Sequence, residues 1–245
     1  MLFRITSMIM VMPFFGYSNF PIPVRVAFGF ALTSLLFPLY QDVSLNLAPG
    51  VINFFGIVLH EIIIGLAISM VGNFIFYGIQ FAGHVAGYTI GFGIINVLDP
   101  QSETQAPILA QLLNLFILTL FLIAGGHHFL LLAIDESFAR IPLGGGTFSS
   151  PLVEGFARLS ADIFIIGIKV GAPVLVSILV MEFALGVIAR TVPQMNVWLV
   201  GFPLKIGGGL LTLALSLPFI VYVFGKIYAQ WQGNFIDFIH TVAGM

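Results

Sequence analysis

A few side chains in this sequence have types and spacings that invite chemistry. His60 stands beside Glu61. A zinc-protease helix needs a second histidine four residues after the first, so that both imidazoles reach one metal from one face. That position is Ile64, so the motif fails. His127 and His128 are adjacent, and neighbours on a helix point about 100° apart, so they read as packing or interfacial histidines. Glu61, Lys169 and Glu182 lie deep in apolar stretches. Ionisable groups at such depth are costly and by default face water or a partner. Gathered on one face they would make a proton relay. Scattered as they are, they read as buried polar contacts, ion pairs or hydrogen bonds between subunits. Gly91-Phe92-Gly93 and Gly207-Gly208-Gly209 are glycine-rich, but neither follows a strand or ends in Lys-Ser/Thr, as a phosphate-binding loop must. The chain has no cysteine, which excludes disulfides and thiolate sites. No catalytic, metal or cofactor site is expected.

The elements that hold these residues are apolar. Of 245 residues, 59% are hydrophobic and 7% charged, where a soluble domain carries about 25% charge. Mean hydropathy is +1.11. So few charges cannot cover the outside of a soluble body, so lipid or apolar protein must cover it. The net charge of −2 and the lack of a basic run argue against nucleic acid. Apolar stretches run over 2–15, 24–40, 51–82, 106–134, 152–189 and 197–228, with a glycine-rich piece at 84–98 and polar loops at 42–50, 99–105 and 135–150. The stretch 152–189 would be about 57 Å long as a helix, against a hydrocarbon core of about 30 Å. Gly171-Ala172-Pro173 and Pro218 mark expected breaks inside the long stretches. The last third reads as a helical hairpin, long helix, tight turn, long helix, with Arg190 and Lys205 flanking the turn 191–196 and favouring a cytoplasmic position for it.

Gly83, Gly87 and Gly91 recur every fourth residue and predict a side-chain-free stripe for close helix packing. Pro193-Gln194-Met195-Asn196 and Gly201-Phe202-Pro203-Leu204-Lys205 predict a sharp connection that presents a surface.

Three blocks of the sequence resemble one family. They are Met12-Pro13-Phe14-Phe15-Gly16 with Pro23-Val24-Arg25; Gly91 through Gln105 with Pro107-Ile108-Leu109 and Gly125-Gly126-His127; and Ala189 through Val197 leading to Gly201 through Lys205. Together they resemble the FliR family of export-gate proteins, whose injectisome counterpart is SctT. Family members carry a dozen or more residues ahead of the arginine that resembles Arg4, which here stands near the start. The resemblance implies an all-α integral membrane protein, with long broken hydrophobic helices arranged as hairpins. Its 1–150 part would be FliP-like and its 151–245 part a FliQ-like hairpin. It implies a single-copy subunit of a flagellar type III export gate in the bacterial inner membrane, part of it protruding to the periplasmic side. Implied partners are FliP-like and FliQ-like subunits, an FlhB-like protein at the cytoplasmic face, and unfolded substrates. It also implies a channel plug at 91–105, with Gly91, Phe92, Gly93, Ile94, Val97 and Leu98 at the constriction, where apolar side chains exclude water and block ions. The docking turn would be Arg190, Pro193, Gln194, Asn196 and Lys205.

Two other readings compete. A small-solute transporter should show inverted repeats, and none is visible. A membrane enzyme should gather reactive side chains at helix ends, and the histidines lack partners in sequence.

Overall fold

A computed structural model describes residues 1–16, 21–40, 51–92, 108–146, 150–194 and 196–244. Among them there is no strand. Helices α1 (Leu2–Val11), α2 (Ile22–Leu36, extended by a 3-10 turn at Phe37–Tyr40), α3 (Val51–Ile90), α4 (Ile108–Ile123), α5 (Gly126–Arg140), α6 (Ser150–Thr191) and α7 (Val197–Ala243) follow one another. The chain is an all-α integral membrane protein. Four of the described helices are long and apolar enough to cross a membrane, or five if the bent pair α4–α5 is one span.

The long elements differ from expectation in where they break. α3 is one helix of 40 residues that runs past residue 82 and takes in residues 84–90 of the glycine-rich piece. α6, of 42 residues, runs through Pro173, and α7, of 47 residues, runs through Pro203 and Pro218. A proline removes a single backbone donor, and in a membrane protein neighbouring helices and local adjustment accommodate it. The break falls between α4 and α5, which meet at 70°. Gly125 there has φ +75°, a left-handed conformation that glycine adopts at little cost. At the next residue, Gly126, a β-carbon would strike the ring of Phe121.

The chain forms two compact units from interleaved pieces. The first comprises Met1–Ile75, Phe121–Ala161 and Ala229–Met245, and the second Phe76–Leu120 and Asp162–Tyr228. Both draw chain from each side of residue 150.

In the first unit α1 lies on α3. A β-carbon on Gly65 would meet Ser7 Oγ and, at 2.6 Å, the carbonyl of Arg4. The amide of Asn73 donates to the carbonyl of Val11, closing the end of α1. An aromatic cluster of Phe121, Phe129, Trp231 and Phe235 fills the middle, with ring centroids 5.3 to 6.1 Å apart. In the second unit glycine again sets the spacing. A β-carbon on Gly83 would come within 2.5 Å of Ala110 Cα, and one on Gly78 within 2.7 Å of Ile166. Lipid tails are as apolar as leucine, so close packing and buried hydrogen bonds hold such helices together more than the hydrophobic effect does. That is why contacts without side chains recur at the crossings.

Candidate functional site

A buried, densely hydrogen-bonded polar cluster lies in the first unit. Glu61, the costly charge of α3, is buried, and so is Arg4 of α1. Arg4 Nε donates to Glu61 Oε2 at 2.8 Å and Nη2 to Oε1 at 2.9 Å, a bidentate fork. The other donors go to the end of α5: Nη1 to the carbonyls of Ser137 and Ile141, at 3.0 and 2.9 Å, and Nη2 to that of Pro142 at 3.4 Å. All five guanidinium N–H groups are thereby used. Glu61 Oε1 also accepts from the backbone N–H of Gly144 at 2.9 Å, and the guanidinium lies 4.6 Å over the Phe138 ring. The carbonyl of Ser137, in the last turn of α5, already accepts from the N–H of Ile141; Arg4 adds a second bond to it and reaches the carbonyls of Ile141 and Pro142 just past the helix end, while Glu61 balances its charge. The cluster clasps α1, α3, α5 and the following loop. Beside it, Tyr40 donates to Asp135 Oδ1 at 2.8 Å, tying the end of the 3-10 turn to α5.

Lys169 and Glu182, read with Glu61 as buried, are exposed on this chain. Glu182 accepts from Lys205 Nζ at 2.6 Å across the hairpin, so this pair lies within the chain and not between subunits. The histidines behave differently from helical projection. At the first turn of α5 the rings of His127 and His128 lie 4.1 Å apart. Among the described residues no group of three or more His, Cys, Asp or Glu gathers to hold a metal ion.

The second unit carries the turn and the root of the glycine-rich segment. α3 stops at Gly91, whose φ is +111°. The N–H of Phe92 donates to the carbonyl of Gly87 at 3.0 Å, and that of Gly91 to the carbonyl of Tyr88 at 3.2 Å, the paired bonds of a Schellman cap. Gly91 is therefore a helix terminator and not the third member of a packing stripe; Gly83 and Gly87 remain on the helix and are buried. Gly93, Ile94, Val97 and Leu98 lie outside the described residues. A β-carbon on Gly91 would rest 3.5 Å from the ring of Phe202, so the exit of α3 lies against α7.

Phe202 also lines an open groove of about 230 Å³ at the hairpin tip, with Leu185, Ala189, Val197 and Trp198 as its apolar walls and Glu182 and Lys205 at its edge. The turn beside it is built for exposure. Asn196 caps α7, its Oδ1 accepting from the N–H of Leu199 at 3.3 Å. Arg190 sits in the last turn of α6, where a cation meets the negative end of the helix dipole. Arg190, Pro193, Gln194 and Asn196 are exposed, and Lys205 is half-buried in its pair. Sequence reasoning found this turn but missed the Arg4 clasp, because nothing in the spacing of Arg4 and Glu61 links residues 57 apart.

With the geometry established, comparison with known proteins is decisive. The family model described as bacterial export proteins, family 1, matches residues 1–231. This chain belongs to that family. Within it, the chain is 30% identical over 234 residues to the flagellar biosynthetic protein FliR of Bacillus subtilis, covering 92% of this chain and 88% of that protein. It is 29% identical over 243 residues to the FliR of Aquifex aeolicus, covering 98% and 92%. It is 29% identical over 233 residues to the FliR of Escherichia coli, covering 93% and 88%. An export-family protein of this kind is a membrane component of bacterial protein export, and the resemblance carried by the three sequence blocks is a true relationship.

Proposed function

We propose that this chain is a single-copy subunit of the flagellar protein export gate. Its helices form part of the wall through which unfolded substrates cross the inner membrane, and its segment 91–105 helps to plug the closed channel. The family match from residue 1 to 231 carries the reading. Helix length supports it. α3, α6 and α7 have 40, 42 and 47 residues, so each is about 60 Å or longer, about twice a hydrocarbon core. Such helices fit an assembly that projects beyond the bilayer on the periplasmic side. Their outward faces carry exposed Phe164, Val180, Phe183, Leu211, Leu215 and Tyr222, surfaces suited to FliP-like and FliQ-like neighbours. In this reading the 1–150 part is FliP-like and the 151–245 part a FliQ-like hairpin. The flagellar names of the relatives favour the flagellar system over its injectisome counterpart.

Closure follows from the exit of α3. A left-handed glycine turns the chain out of the helix, and Ile94, Val97 and Leu98 follow as apolar side chains able to dewet a narrow lumen. The exposed turn 191–196 and its groove are the docking place for an FlhB-like protein. Phe202, touching both the groove and Gly91, gives that partner a path to the plug. Deleting residues 92–98, or replacing Ile94, Val97 and Leu98 with glycine, should raise ion conductance through assembled gates in membranes. Unchanged conductance with full assembly would remove the plug role.

A further inference from the structure

α6 carries a cation that no described carboxylate of the chain neutralises. Between Asp162 and Glu182 the only ionisable residue is Lys169. The intervening stretch, about 19 residues, is about 28 Å of helix and matches one hydrocarbon core. Lys169 lies about 10 Å inside that stretch, two helical turns from Asp162. It is exposed, and Ile165 and Val176, on the same helix face, are exposed as well, as is the adjacent Ile168. No ion pair joins Lys169 to any described carboxylate, whereas Glu182, farther along the same helix, has Lys205. A second polar group sits at the same level. Residue 173 is a proline inside α6, so the N–H that would close the helical bond to the carbonyl of Lys169 does not exist.

Ionised lysine in hydrocarbon is costly. A lipid phosphate would neutralise it only if the side chain could snorkel to the headgroups, and two helical turns of apolar helix separate it from the polar edge. A carboxylate brought to the same depth by another helix neutralises it without that reach. We propose that the face of α6 centred on Lys169 docks a helix of a neighbouring gate subunit that presents an Asp or Glu to Lys169. This rests on the reading of the chain as one subunit of a larger wall, and it names the chemistry of one seam in that wall. The apolar residues flanking Lys169 supply the packing, and the ion pair sets depth and register, the best-attested use of a buried charge pair.

The test uses the full chain co-expressed with the other membrane proteins of its export operon. Lys169→Arg, Lys169→Met and Lys169→Glu are compared for recovery of the assembled complex, and each variant is also purified alone in detergent. Lys169→Arg should assemble like the parent. Lys169→Met and Lys169→Glu should lower recovery of the complex by about tenfold or more, because each leaves a carboxylate buried without its partner. An Asp or Glu to Lys change in a neighbouring subunit should restore Lys169→Glu. The isolated chains should all melt at the parent's temperature, since Lys169 has no ion pair with a described residue of the chain. Equal assembly of all three variants, or a lowered melting temperature for isolated Lys169→Met, would overturn the proposal; the second result would place the counter-charge inside the chain. A parent chain that recruits no partner would instead overturn the gate reading itself. Because the chain has no cysteine, Lys169→Cys adds a direct check. In the assembled complex it should resist a water-soluble maleimide, and rapid labelling would place it on a water-filled lumen and overturn the seam.

Discussion

Arg4 saturates its five donors on one carboxylate and three carbonyls, all in the first unit. Removing one member of such a pair leaves a buried charge without its partner. Glu61→Gln and Arg4→Met should each lower the unfolding free energy of the purified chain by about 3–5 kcal/mol. The double variant Arg4→Met with Glu61→Leu should lose less than the sum of the two, because neither charge is then stranded. Thermal unfolding in detergent measures both, and additive losses would show that the two residues act independently. Arg4→Lys should not rescue, since an ammonium has three donors and no fork. At this scale the sequence revealed half of the cluster. Glu61 stood out as a charge among apolar residues, but its partner lay on another helix, and no period joins the two. Gly91 was legible as a glycine in a fourth-residue series; its positive φ was not, because a packing stripe and a helix cap accept the same residue. Gly91→Ala should cost about 1–2 kcal/mol, the penalty for placing a β-carbon in left-handed space, and should raise ion leak if the cap holds the plug root.

Among the elements, helix crossings are set by missing side chains. Gly83 meets the backbone of Ala110, and a backbone cannot rotate away as the end of a side chain can. Gly83→Ala should therefore destabilise the chain by about 1–3 kcal/mol through overpacking. Gly207 has nothing within 4 Å of an added β-carbon, so Gly207→Ala should be neutral or stabilise by about 0.5–1 kcal/mol. Melting temperatures of the two variants in detergent separate these outcomes. Element existence was readable from apolar run length, since only helices satisfy backbone groups in lipid, but lengths were not: α3 runs on to Ile90 and α7 to Ala243, past the apolar stretches that ended at 82 and 228. Break positions were not. Pro173 and Pro218 looked like stops yet lie within continuous helices, while Gly125-Gly126 turns the chain through 70°. A proline's lost donor is a local matter that neighbours can mend. The bend at Gly125 comes from its left-handed φ of +75°, which an apolar run length does not reveal.

At the scale of the whole molecule, the sparse charge and long apolar stretches already indicated a chain that needs company. The structure adds exposed apolar side chains along α6 and α7, an exposed Lys169, and exposed turn residues beside a groove. The family match turns this physical reading into membership of a bacterial export family. The central claim is that the polypeptide is one copy in a heteromeric wall. The most direct measurement is the native mass and subunit composition of the particle purified through a tag on this chain, from cells expressing its entire export operon. A particle holding one copy of this chain with several copies of two other small hydrophobic proteins is the expected result. A stable particle made of this chain alone, with no other polypeptide at stoichiometric level, would contradict it.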